Sequence, residues 1–123
     1  MNNEEAKLTG VERIAAERKR QIEEEGFDAA HDVQHANGSM SAAAVCYASD
    51  EPVYIQDKLA NGCTFLDPWP WEIQFDKRPH EGNVVRYDTT FEERVALLAK
   101  AGALIAAEID NLLYKREQAK RRL

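Results

Sequence analysis

Four residues in the first fifth of the chain stand at spacings of three and four: Arg18, Gln21, Ile22 and Glu25. On a helix they share one face. An arginine fork matches the oxygens of a phosphate or a carboxylate with two parallel hydrogen bonds, and a carboxamide one turn further on can bond the same ligand. Two readings are open: a solvated helix edge laced with ion pairs, or a polar strip that lines a cleft. His31, Asp32 and His35 follow. The two histidines are four apart and face the same way on a helical turn, as metal ligands do. No general base or further ligand is fixed beside them, so polar contact to a bound molecule, or a satisfied hydrogen-bond network, is expected ahead of a metal. Further on, Trp69 and Trp71 alternate with Pro68 and Pro70, and Lys77 and Arg78 come soon after. Flat aromatics beside cations suit a base and a phosphate. A lid over the core is the commoner use of such tryptophans. No complete catalytic motif is present, and no cofactor is indicated.

These side chains need elements to hold them. The longest pattern covers residues 90–116. Thr90 with Glu93 three residues on makes a capping box. Phe91, Val95, Leu98, Gly102, Ile105, Ile109 and Leu112 then recur at alternating spacings of four and three, one continuous helical stripe. A second row, Leu97, Ala101 and Leu104, widens the apolar face. Lys100 is the single polar side chain between Ala96 and Ala107, so this helix is expected to be covered on most sides. A mid-helix glycine costs about 1 kcal/mol against alanine, which points to a close backbone crossing at Gly102. The apolar perimeter exceeds what two partner helices can cover, so a homo-oligomer through the 90–116 helix, a dimer or a multiple of it, is expected.

A second capping box, Thr9 with Glu12, opens a helix that runs to Glu25, where Gly26 supplies a left-handed cap. Its stripe of Val11, Ile14, Ala15 and Ile22 is narrow and is interrupted by Arg18. Ser39 is expected to cap a short helix over 40–49, whose small residues suit packing against the last helix. Residues 1–8 are expected to fray. Residues 50–89, with four prolines in a chain that has Pro 4 in all, cannot be helical throughout; residues 53–56 and 63–66 are candidates for a small β-hairpin. The expected fold is a single mainly α domain, a bundle of two long helices and one short one with a long irregular insertion.

The bulk numbers exclude several classes. The 123 residues carry a net charge of −6, which argues against sequence-independent binding to nucleic acid or to an anionic membrane. Hydrophobic residues at 44% and charged ones at 31% belong to an ordinary globular chain. No apolar run approaches the roughly 18 residues of a membrane span, and the polar start Met1-Asn2-Asn3-Glu4-Glu5 is not a signal peptide. Cys46 and Cys63 lack CxxC spacing and are expected to be free thiols in a reducing cytoplasm. The basic end, from Lys115 to Arg122, complements the negative pole of the long helix.

The order of these segments resembles a family of small phage and prophage proteins. The residues that carry the resemblance are Glu12-Arg13, then Glu17-Arg18-Lys19-Arg20-Gln21-Ile22-Glu23-Glu24-Glu25-Gly26-Phe27, His31-Asp32 and His35, Gly38, the Ala42-Ala43-Ala44-Val45-Cys46-Tyr47-Ala48 run, Trp69-Pro70-Trp71, and the alanine-rich stretch from Leu98 to Asp110. More remotely, the first and last helices are similar to phage relatives of the all-α MazG-type nucleoside triphosphate pyrophosphohydrolases. That resemblance implies a helical fold, a nucleotide pocket and a place in the host-cell cytoplasm. Hydrolysis in those enzymes uses an EExxE-type helix plus a later ExxD, four carboxylates holding Mg²⁺. Here the middle helix has no carboxylate before Asp50, and Glu108 and Asp110 are two apart rather than three. The leading expectation is therefore a non-catalytic nucleotide-binding protein that sequesters a nucleotide-derived ligand, such as a host defence signal. Its contacts would be Arg18, Gln21, Glu25, His31, Asp32, His35, Trp69, Trp71 and Lys77. One alternative is a divergent Mg²⁺-dependent pyrophosphohydrolase using Glu24, Glu25, Asp32 and Glu108. The other is a homo-oligomeric interaction module without a small ligand.

Overall fold

A computed structural model describes residues 3–26, 38–57 and 64–122. In chain order the elements are α1 (Asn3–Ala6), α2 (Gly10–Glu25), α3 (Ser39–Ala48), β1 (Ile55–Asp57), β2 (Thr64–Leu66), a 3-10 turn (Ile73–Phe75), β3 (His80–Glu81), β4 (Val84–Val85) and α4 (Phe91–Arg121). The chain is mainly helical, as its patterning predicts.

Both capping boxes form. The Thr9 hydroxyl accepts from the Glu12 N–H at 3.2 Å and the Glu12 carboxylate accepts from the Thr9 N–H at 3.0 Å. Thr90 and Glu93 repeat the exchange at 3.1 and 2.9 Å. Gly26 ends α2 at φ 74°, a left-handed cap that glycine adopts at no steric cost. Three expectations of detail are corrected. Part of the 1–8 tail forms the single turn α1. Ser39 is the first residue of α3 rather than its cap; left-handed Gly38 holds that position, and the buried Ser39 hydroxyl has no partner among the described residues. The last helix continues past 116 to Arg121, because lysines and arginines are good helix formers and suit a C-terminal pole.

The rod α4 is the organising element. Its 31 residues at about 1.5 Å each make about 46 Å. Among the described elements α2 and α3 both pack on α4 and do not pack on each other. The core lies between α3 and α4: Met40, Ala43, Ala44 and Tyr47 against Leu97, Ala101, Leu104 and Ala107. Alanines on both sides bring the two backbones close. Gly102 belongs to the α2 crossing instead, since a Cβ added there would stand 2.6 Å from Cδ1 of Ile14.

The longest stripe of the sequence is not the core. Phe91, Leu98, Ile105, Ile109 and Leu112 are 43–72% exposed, while the shorter second row is buried. The helix is thus covered on fewer sides than its composition suggests. On α2 the inversion is sharper: the buried residues are Arg18 and Gln21, whereas Val11 and Ile22 are exposed.

The irregular 50–89 segment holds two antiparallel hairpins. In the first, Ile55 pairs with Leu66, Gln56 with Phe65 and Asp57 with Thr64, close to the expected strands. The second pairs His80 with Val85 and Glu81 with Val84. Its two-residue turn, Gly82-Asn83, with Gly82 at φ 63°, is a hairpin signal that the prolines around it masked.

Candidate functional site

Two helices that share a rod without touching each other leave a gap, and the 70–77 segment roofs it. The result is a half-open cleft of about 950 Å³, within the usual size range for a small-molecule site. Helix α2 contributes Glu17, Arg20, Gln21 and Glu25, which recur at helical spacing on one face; α3 contributes Tyr47; α4 contributes Lys100 and Leu104. The roof supplies Pro70, Trp71, Glu72, Phe75 and Lys77.

The roof is held by a buried charge cluster. Arg78 donates to Asp76 at 2.8 Å and to Asp67 at 2.9 Å, and also reaches the Tyr87 hydroxyl. Its guanidinium lies over Trp69, 5.7 Å from the ring centroid. Burial alone would raise the pKa of Asp67, but the Arg78 hydrogen bonds outweigh it and hold the carboxyl below its ordinary value. Tyr47, from α3, ties the roof to the helices: its hydroxyl donates to the Phe75 carbonyl and accepts from the Lys77 N–H at 3.0 Å. Burial pushes the Tyr47 phenol up, so it stays a neutral donor. Trp69 stacks edge-on between Tyr47 and Trp71, at 5.3 and 5.4 Å, and donates its indole N–H to the Glu72 carbonyl. Trp69 and Trp71 are both partly buried against the core, the lid role expected of them. Only Trp71 of the pair also lines the cleft. Trp69 and Trp71 together edge a shallower groove beside the β3–β4 hairpin.

One wall of the cleft is a chain of alternating charge. Lys100 donates to Glu17 at 3.1 Å, Arg20 to Glu17 at 2.7 Å, and Arg20 is 2.9 Å from Glu25 and 3.4 Å from Glu24. Burial acts to raise the Glu17 pKa, and the bonds from Arg20 and Lys100 reverse this and lower it. These acids raise the Arg20 pKa in turn. Across the described residues Lys77 makes no ion pair. Gln21, on the same face as Glu25, is 3% exposed, and its Oε1 has no hydrogen-bond partner among the described residues.

Of the residues expected to form a site, the structure therefore brings four into one cleft: Gln21, Glu25, Trp71 and Lys77. Trp69 lies one ring away. Arg18 is elsewhere: it leaves α2 toward α4 and bonds Asp110 at 3.0 Å, so it clamps two helices and does not line the cleft. His31, Asp32 and His35 lie outside the described residues, as does Cys63. Three cleft residues escaped the sequence reading although signals existed. Glu17 and Arg20 precede Gln21 at helical spacing, and Lys100 is the lone charge in an apolar run, which needs a buried partner to be tolerated. Tyr47 looked like a core aromatic, and only its hydroxyl contacts give it a second role.

Among the described residues no three His, Cys, Asp or Glu side chains converge in a metal-holding group. Glu24 and Glu25 both turn to Arg20. No described helix is long and apolar enough to cross a membrane. No protein-family model, curated protein or solved structure matches the chain.

Proposed function

We propose that the chain binds a nucleotide or nucleotide-derived molecule in the cleft between α2, α3, α4 and the 70–77 roof, and holds it without cleaving it. The observation that carries the reading is Gln21. A buried carboxamide oxygen without a partner costs about 1–3 kcal/mol, and native interiors leave few such atoms. Gln21 lines a ligand-sized cleft, and its buried Oε1 has no partner among the described residues; a base N–H brought to it would satisfy it. Trp71 brings an aromatic ring to the same cleft, and Lys77 brings an ammonium that pairs with no acid among the described residues. The cleft is charge-balanced, Arg20, Lys77 and Lys100 against Glu17, Glu25 and Glu72, in a protein whose net charge is −6. An anionic ligand thus meets a lining without net charge in a chain that is negative as a whole.

The pairing of the acids supports holding without cleavage. Glu17 and Glu25 are neutralised by Arg20 and Lys100, and Glu24 is turned to the same arginine, so these carboxylates are committed to cations of the chain itself. The resemblance to phage proteins adds that the ligand would be a signal of host defence, removed from circulation by tight binding. The test is to incubate the pure protein with a panel of mono-, di- and cyclic nucleotides and Mg²⁺, denature it and identify what is released. Recovery of an intact nucleotide is the expected result. Recovery of a cleaved one would establish hydrolysis in its place, and an empty cleft across the panel would remove the ligand reading.

A further inference from the structure

The side of α4 that no described element covers has a regularity that the ligand reading does not use. Phe91, Leu98, Ile105 and Leu112 are seven residues apart, with Ile109 beside them, and all five are exposed. From Phe91 to Leu112 the row runs about 32 Å along the rod. It lies between the α3-facing row of Leu97, Ala101 and Leu104 on one side and Gly102, where α2 crosses, on the other. A seven-residue apolar repeat is the seam by which helices wrap on one another. The flanking charge is sorted by end. At the start of the rod Asp88, Glu92 and Glu93 outnumber Arg86, which pairs with Asp88 and Glu93, and Arg94; at its end Lys115, Arg116, Lys120, Arg121 and Arg122 far outnumber Glu117. Arg116 continues the seam itself, four residues beyond Leu112.

We infer that this face binds a second copy of the chain, with the two α4 helices antiparallel. A seam whose partner is its own copy has two choices. Side by side in the same direction, acid meets acid, base meets base, and the helix dipoles repel. Head to tail, the end where acids outnumber bases, with Glu92 beside the Arg86-bonded Asp88 and Glu93, approaches Lys115, Arg116 and Lys120 of the other copy, and the dipoles attract. The antiparallel pairing is also two-fold symmetric, so it closes on itself instead of growing into a filament. The cleft lies on other faces of α4, lined by Lys100 and Leu104, and stays open in such a dimer. The inference thus stands independently of what the cleft binds.

The test is sedimentation of the full chain over the micromolar range. Wild type is expected to sediment as a dimer. Ile105→Lys combined with Leu112→Lys places charge on exposed seam positions, so the helical circular dichroism should persist while the dimer is lost. The orientation is read from charge reversal. Arg116→Glu with Lys120→Glu should weaken the dimer at least tenfold, and adding Asp88→Lys with Glu92→Lys should restore it. A wild-type monomer throughout the range, or a dimer indifferent to the two lysines, overturns the interface. A dimer that the basic-end reversal leaves unweakened, or that the second reversal does not restore, overturns the antiparallel arrangement.

Discussion

Arg18 of α2 bonds Asp110 of α4 twice, through Nη2 at 3.0 Å and Nε at 3.3 Å. The two are 92 residues apart in the chain, and both lie on helices whose apolar contact is otherwise thin: Ile14 at Gly102 is its best-defined point. The guanidinium is nearly buried while the carboxylate is half exposed. The pair therefore supplies direction to the α2–α4 crossing and is shielded from water on one side only. This contact gives the arginine on the inner stripe of α2 an acid partner within the chain.

Arg18→Ala should accordingly lower stability by about 1.5–3 kcal/mol, the range for hydrogen bonds to a charged group, seen as a lower melting temperature. The affinity of the cleft for a bound nucleotide should change little. A thermal melt and a titration on the same variant separate the two effects. A variant that melts like wild type but loses its ligand would return Arg18 to the site.

Gln21 should behave in the opposite way. Gln21→Leu keeps the volume and removes the buried unpaired oxygen, so the free protein should melt at or above the wild-type temperature. Affinity for the ligand should drop at least tenfold. Trp71→Ala should lose binding as well, by the roughly 1–3 kcal/mol of a base–aromatic stack. Calorimetry on both variants checks this, and a Gln21→Leu protein that binds as tightly as wild type would exclude Gln21 from ligand contact.

Gly102 tests the packing of α2. A Cβ there would stand 2.6 and 2.7 Å from Cδ1 and Cγ1 of Ile14, so Gly102→Leu should cost about 1–3 kcal/mol through overpacking. Ile14→Ala in the same chain should recover part of the loss by opening room. Chemical denaturation of the single and double variants measures the coupling, and strictly additive effects would place the clash elsewhere.

Alkali should destabilise the protein in a definite window. Burial pushes the Cys46 thiol from its ordinary 9.0 up to about 11, and it raises Tyr47 from 10.0. The folded protein then keeps protons that the unfolded chain has already released. Stability is complete below pH 9 and falls as pH rises toward 11, with Tyr47 adding to the decline above pH 10. Cys46→Ala should flatten the first part of the decline and leave the second. Urea titrations across this range at fixed ionic strength give the slope directly.

The local signals were legible because they are local. Thr9 with Glu12, Thr90 with Glu93, and Gly26 act within four residues of chain, and each sets the helix end that its spacing implies. The mainly α class follows from the same periodicities. Gln21 and Glu25 could be assigned to one polar face from spacing alone, since i and i+4 meet on any helix.

What the sequence could not decide is which face of α4 is inside. Phe91, Leu98, Ile105 and Leu112 are the larger side chains, yet the row of Leu97, Ala101, Leu104 and Ala107 is buried, because α3 presents alanines. Helices of small residues bury most by bringing their backbones together, and large side chains would hold them apart. Nor could spacing pair Arg18 with Asp110 or close Lys100 onto Glu17, contacts between residues 92 and 83 positions apart. The cleft exists because α2 and α3 dock on the same rod without meeting. That is a property of how three helices pack, and it is written in none of them singly.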